Sequence, residues 1–300
     1  MKEDIKKYAK VGLVHHLLYP QSEEDPIYHI KSLLDFLNAY DIETFDCMLP
    51  FGEDYRAKLV PQLNNCGKEI AYCSHISLLS EANPASGSYL QQGLTRIFYE
   101  DQIKAAESIG AAGYVFNSGK KSQGETKAEA LKNFSDFCIW FCKKLSKTKI
   151  MAMIEPFDTS VDKKFLLGPT SECAHFVNSS GIENLGIELD FAHVPLLGES
   201  FYEAVKNTHK HLKRVHLGNC ILKDRSCRWY GDKHPPIGME NGEIDTQQLA
   251  EILTQLLKFG YLNKKRRGAL VLEARPVDGM GPEELVADNF KRLYDAWDLI

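Results

Sequence analysis

Four apolar stretches of the chain stop on a side chain able to bind a metal: MAMIEP on Glu155, IELD on Asp190, KRVHLGN on His216 and ALVLEARP on Glu273. Three carboxylates and one imidazole make the donor set of a divalent ion that accepts hard ligands, Mn²⁺ foremost, with Mg²⁺, Co²⁺ or Zn²⁺ also compatible. No thiolate belongs to the set. Any one of these residues alone would read as a salt-bridged rim carboxylate, a capping aspartate or a hydrogen-bonded histidine. Together they require a cation, because crowding three carboxylates where water is scarce is costly without one.

Elements that could hold these four residues together must end on one face. Short β-rich apolar runs alternate with longer stretches of helical period along the whole chain, which predicts a parallel sheet. Strands are expected at residues 10–16, 43–49, 69–76, 113–118, 149–155, 185–190, 214–217 and 269–273. Helices are expected over 26–39, 94–109, 127–145, 171–178, 200–210, 246–259 and 282–297. GPTSE opens the helix before the sixth strand, SIGAAG closes the one before the fourth, and Pro282 sits in the first turn of the last. No Pro/Ser-rich linker divides the chain, so residues 1–300 read as one domain. Repeated βα units of this number are best satisfied by an α/β fold closed as a (β/α)8 TIM barrel, which has no sheet edge and gathers the strand carboxyl ends on one active face. An open doubly wound sheet is the alternative, but no G-x-G-x-x-G follows a first strand. Neighbouring strands lie about 4.8 Å apart, so ligands on four adjacent ends can converge.

The order Glu155, Asp190 with His193 three residues later, His216 and Glu273, set in successive βα units, resembles the xylose-isomerase-like barrel superfamily, the sugar isomerases and epimerases related to tagatose 3-epimerase. CSHISLL at 73–79, the helix and strand at 94–119 and GMENGEID at 238–245 extend the likeness over almost the whole chain. The resemblance implies that Glu155, Asp190, His216 and Glu273 hold the ion. It also implies that Glu155 and Glu273, on opposite sides of the substrate, exchange protons with carbon. The scheme is chemically coherent: an ion that polarises a carbonyl and an adjacent hydroxyl lowers the cost of an enediolate, and a carboxylate beside it stays within reach of the carbon-bound hydrogen. In GIELDFAHVPLLG the chain turns after Asp190 so that His193 can point toward a substrate hydroxyl or the developing oxyanion. The alternative for His193 is a rim histidine bonded to backbone.

The sequence departs from that pattern at two places. Ketose epimerases of this type carry a second glutamate six residues after the strand-five ligand, where this chain has Val161, with Asp158 and Asp162 nearby. They carry an arginine six residues after the strand-seven histidine, where this chain has Leu222. The segment 221–238 is long for a loop without structure, and such loops are often functional. It offers Lys223, Arg225, Arg228, Trp229, Tyr230, Asp232 and His234. Arg225 is a candidate for substrate binding, Trp229 and Tyr230 for stacking on a sugar face, and His234 for a further ligand or proton relay; a solvated lid is the alternative. Arg275, two residues past Glu273, reaches toward a substrate oxygen or forms a rim salt bridge. His15, His16 and His75 end the first and third strands on the same face, with His16 and His75 the candidates and one of the three expected to touch substrate.

Composition removes other classes. With 36 basic and 41 acidic residues the net charge is -5, and no basic stripe exists to neutralise phosphates, which excludes nucleic acid as a partner. The run NKKRRG reads as a solvated loop. The 8 cysteines show no C-x-x-C and no small disulfide framework, which points to a reduced compartment. No apolar stretch approaches the roughly 20 residues that span a bilayer, and the early run VGLV is too short for a signal peptide, so a cytoplasmic protein without membrane attachment is expected. The function expected is a divalent-metal-dependent isomerase or epimerase of a sugar or keto-sugar, with a small-molecule carbohydrate as its partner. The alternative is a lyase on the same platform, a dehydratase or an enzyme cleaving 3-keto-glycosides. A phosphodiester hydrolase is disfavoured by the acidic charge and the lack of a full second ligand set, and a sugar sensor by the presence of both glutamates. Barrels of this sort often self-associate, so a homo-oligomer is compatible.

Overall fold

Every second residue of a barrel strand faces the interior and the others face the surrounding helices, so strand alternation decides what reaches the site. The structure is a computed structural model and describes residues 3–74 and 82–300. Its strands are β1 (Ala9–Val14), β2 (Thr44–Cys47), β3 (Glu69–Cys73), β4 (Gly113–Phe116), β5 (Met151–Ile154), β6 (Leu185–Asp190), β7 (Leu212–Leu217) and β8 (Gly268–Leu272). They pair in parallel in chain order and close into a barrel, β8 returning to β1 with Ala9 opposite Gly268 and Leu13 opposite Leu272. The (β/α)8 barrel expected from the sequence is the fold.

The helices are α1 (His15–Leu18), α2 (Pro26–Ala39), α3 (Glu53–Asn64), α4 (Tyr89–Ser108), α5 (Lys127–Leu145), α6 (Thr170–Ser180), α7 (His193–Leu196), α8 (Phe201–Thr208), α9 (Thr246–Lys258) and α10 (Pro282–Asp298). Local chemistry fixes several boundaries. Thr126 with Glu129, Ser200 with Glu203 and Asp245 with Gln248 form capping boxes that open α5, α8 and α9. Helix α3 was not foreseen; it contains Pro61, which lacks the N–H that would bond to Ala57 O one turn earlier. Helix α4 starts earlier than expected because Ser88 caps it. Strand β1 stops at Val14, so His15 and His16 fall in the short helix α1 instead of ending a strand.

Between helices and barrel lies a continuous apolar layer, dense with aromatic rings around β4 and α5. Phe141 is fully buried there, with ring centroids 5.0 Å from Tyr114, 4.8 Å from Phe116 and 5.6 Å from Phe137. Inside the barrel, Met48, Ala71, Cys73, Val115 and Met153 pack as a separate apolar cluster. The opposite side of the interior is polar: Asp46, Glu188, Arg214 and His216 are all buried. Among the described residues no helix is long and apolar enough to cross a membrane, and all the cysteines are free thiols.

Phe141→Ala is expected to cost about 3–5 kcal/mol, the range for deleting a fully buried phenylalanine. Urea denaturation monitored by circular dichroism measures this; a loss under about 1 kcal/mol would mean that the aromatic layer repacks.

Candidate metal centre

Each ligand candidate is placed by the strand that precedes it. Glu155 follows β5, its N–H donating to Phe116 O at 2.9 Å, and Glu273 follows β8, its N–H donating to Leu217 O at 3.1 Å. Asp190 is the last residue of β6 and pairs in register with His216 on β7. The four residues therefore come from four adjacent strands. Asp190 Oδ1 accepts the N–H groups of Ala192 at 3.0 Å and Gly218 at 3.2 Å, while its Oδ2 is buried without a hydrogen-bond partner. His216 Nε2 lies 3.2 Å from Asp46 Oδ2. His216 Nδ1 is 2.7 Å from Glu273 Oε2, yet neither atom makes an aligned hydrogen bond. Buried donor atoms that face one another without bonding are the pattern a divalent ion satisfies, and three oxygens with one nitrogen fit the hard ions.

Among the described residues the possible ligand atoms form two groups with no residue in common. Glu155, Glu188 and His216 offer atoms within 4.8 Å of one another, and so do Asp190, His193 and His234. His193 joins them, its Nε2 2.9 Å from Glu155 Oε1 and 3.3 Å from Asp190 Oδ2. Asp232 completes the second group, with Oδ1 2.7 Å from His234 Nε2 and 3.7 Å from His193 Nδ1. The sequence reading gave Glu188 no part, although strand period 2 puts it on the face of Asp190. It named Asp232 without a role. Nothing in local sequence reveals that the loop carrying Asp232 and His234 folds back onto β6. His234 holds a left-handed backbone, φ 53°, uncommon for a residue with a side chain.

Charge is balanced tightly here. Burial pushes Glu188 well above the carboxylate range against the pull of His216, and Glu155 and Asp190 add to the rise. Burial also lifts Asp190 to about 6, opposed by His193 and reinforced by Glu273. For His234 burial works against the charged ring, but Glu273 and Asp232 overcome it and raise the value to about 9. Asp232 stays well below its usual range despite burial, because His193, His234 and Lys163 surround it. Imidazolium charge thus holds the carboxylates together.

A cavity of about 1020 Å³ opens over the centre. Glu155, His216 and Glu273 line it, as do His16, Trp229, His234 and Arg275 among the substrate candidates. Asp190 and His193 are fully buried and outside the wall, and His193 packs its ring 4.2 Å from Phe157. Arg225 is exposed and does not line the cavity; Arg228 does, lying 5.2 Å over the Trp229 ring and pairing with Asp278 at 2.7 Å. Arg275 pairs with Glu23 at 3.1 Å. His15 is a core residue, its Nε2 3.1 Å from Ser32 Oγ, and His75 lies outside the described residues. Neither acid near Val161 stands in for the missing glutamate. Asp158 accepts the backbone N–H groups of Ser160, Val161, Asp162 and Lys163, and Asp162 accepts the N–H of Asp232 and pairs with Lys233. Lys163, not singled out from the sequence, lines the cavity with Nζ 3.2 Å from Asp232 Oδ2.

A family model described as xylose isomerase-like TIM barrel matches residues 34–296. The chain belongs to the xylose isomerase-like TIM barrel family. Among solved structures, this xylose isomerase-like barrel is similar to a D-tagatose 3-epimerase-like protein, with TM-score 0.74, 18% identity and 97% of each chain covered. It is also similar to the 3-keto-D-glucoside 4-epimerase of E. coli, with TM-score 0.69, 13% identity, and 95% of this chain and 99% of that one covered. A third is the IOLI protein with a bound zinc atom, at TM-score 0.72 and 13% identity, covering 96% of this chain and 97% of that one. At these identities the likeness is one of fold. Comparison of the sequence with curated proteins gives no match.

The centre leaves no room at Gly218, where a β-carbon would stand 2.8 Å from His234 Nδ1 and 2.9 Å from both Ala192 Cβ and Asp190 Oδ1. Gly218→Ala is expected to displace the Asp190 carboxylate or the His234 ring and to weaken Mn²⁺ binding by about tenfold or more, as lost orienting contacts do. Calorimetric titration reads the affinity; a wild-type value in a folded variant would place the ion elsewhere.

Proposed function

We propose that the chain is a divalent-metal-dependent isomerase or epimerase acting on a sugar or keto-sugar by proton abstraction next to a carbonyl. The observation that supports this most is the placement of Glu155 and Glu273. They come from different strands, both line the cavity, and their side chains keep 13% and 10% of their surface exposed in an otherwise buried cluster. Glu155, Asp190, His216 and Glu273 would hold the ion. When bound, it supplies Lewis acidity that stabilises the negative charge developing as a C–H bond breaks.

The remaining chemistry belongs to the side chains. One glutamate takes the proton from carbon, and the other returns a proton to the carbon skeleton, so the exchange balances without a redox partner. His193 Nε2 donates to Glu155 Oε1 at 2.9 Å and fixes that carboxylate in place, while Glu273 is held beside the His216 ring. His16, Trp229, His234 and Arg275 on the wall meet the hydroxyls and faces of the substrate. A small carbohydrate fits this mixture of apolar and hydrogen-bonding groups.

A lyase is the second reading, and one observation favours it. The cavity of about 1020 Å³ extends to Arg228 and Trp229, which is room for a glycoside larger than a free sugar. Proton abstraction beside the carbonyl would then expel a β-substituent.

Incubation of the Mn²⁺-loaded protein with ketohexoses and 3-keto-glucosides in D2O, followed by NMR, separates the readings. Deuterium in a recovered or epimerised sugar supports the first, and an unsaturated or cleaved product the second; neither, with any substrate, would remove both. Glu155→Gln and Glu273→Gln are each expected to lower kcat by at least about 10²-fold, the usual scale of acid–base catalysis. Chelation should abolish turnover, and elemental analysis should find a single ion per chain. Two or more ions would point to the Asp190, His193 and His234 group as a second centre and to hydrolytic chemistry.

A further inference from the structure

The candidate ligands do not account for a buried guanidinium–carboxylate pair inside the barrel. Asp46 lies on β2, in a part of the chain with no ligand, and is 0% exposed. Its partner Arg214 lies on β7 two residues before His216, so the same strand face carries both, and it is only 3% exposed. Arg214 Nε donates to Asp46 at 2.8 Å and 3.0 Å, its Nη2 donates to Asp46 Oδ1, and Nη2 also donates to Thr44 Oγ1 at 2.8 Å. The carboxylate also faces His216, whose Nε2 is 3.2 Å from Asp46 Oδ2, and accepts from the Cys73 thiol at 3.7 Å.

We propose that Asp46, clamped by Arg214, is the positioning residue that decides which nitrogen of His216 is presented to the ion. The proposal rests on the metal-centre reading above. An ionised carboxylate only accepts, so the atom facing Asp46 must be a protonated Nε2. The lone pair of a neutral ring is then on Nδ1, which stands 2.7 Å from Glu273 Oε2 and 3.6 Å from Glu188 Oε1, on the side of the other ligands. Arg214 Nε donates to both carboxylate oxygens, the charge-assisted pairing that an ionised carboxylate makes with a guanidinium. Without Asp46 the ring could carry its proton on Nδ1, turning a ligand into a donor aimed at the cation. A carboxylate on the far nitrogen also raises the basicity of a ligating imidazole. A buried ion pair seldom adds net stability over apolar packing, so orientation gives this one a reason to be there.

Asp46→Asn preserves size and can still accept from Arg214, but its amide nitrogen presents a donor to Nε2. Calorimetric titration of the metal-stripped proteins with Mn²⁺ should show affinity 10–100-fold weaker in the variant, the range for loss of an orienting carboxylate. The variant's far-UV circular dichroism should match the wild type. Equal affinities, with only thermal stability lowered, would make the pair purely structural and overturn the proposal. Wild-type protein that binds no Mn²⁺ would remove the metal centre and this proposal together, which distinguishes the two failures. Should the variant not fold, long-range ¹H–¹⁵N NMR of the Zn²⁺-loaded wild type decides. A protonated Nε2 and an unprotonated Nδ1 on His216 support the assignment; the reverse tautomer overturns it.

Discussion

Carboxylates brought close together in a space shielded from water repel one another strongly, and this repulsion is the constraint the mouth of the barrel is built around. Glu155, Glu188, Asp190, Asp232 and Glu273 are drawn into one region, with His193, His216, His234 and Lys163 interleaved among them. Close packing of imidazole between carboxylates keeps the set together, and a doubly charged ion would satisfy it more completely. Much of the surrounding detail follows. Asp190 gives one oxygen to two backbone N–H groups and keeps the other unengaged. Gly218 leaves room for that carboxylate, and His234 accepts an unfavourable backbone angle to bring its ring inward.

The barrel contributes geometry where the side chains contribute charge. Parallel pairing of β5 to β8 sets the ends that carry Glu155, Asp190, His216 and Glu273 side by side, and strand alternation keeps Glu188, Asp190, Arg214 and His216 off the helix-facing surface. The interior is consequently divided, with sulfur and aliphatic side chains filling one part and a hydrogen-bonded polar network the other. Rigid strands suit a centre whose donor atoms tolerate little displacement, while loops after β1, β7 and β8 supply much of the cavity wall.

The barrel, and the placing of Glu155, Asp190, His216 and Glu273 at four adjacent strand ends, were legible because both leave local marks: an apolar run ending in a polar residue, repeated in order. What escaped was set by distance in sequence or by competing local signals. Helix α3, which contains Pro61, was not foreseen, and α4 began beyond its periodic stretch at a cap, Ser88. Asp46 and Arg214 are 168 residues apart, and no spacing rule links them. Arg225 was the arginine singled out in its loop, yet Arg228, also exposed, is the one set against Trp229 on the cavity wall. Asp158 and Asp162, the acids near Val161, are both claimed by backbone N–H groups.

The seam where β8 meets β1 also governs when the centre can exist. Translation proceeds from the amino terminus, and Glu273 belongs to the last rung, just before α10. A nascent polypeptide still on the ribosome has Glu155, Asp190 and His216 in hand but no enclosing wall, so a complete coordination shell becomes available only when the cylinder zips shut. The four candidate ligands thus become neighbours only at the final closure of the cylinder, so an unfinished polypeptide lacks the full set.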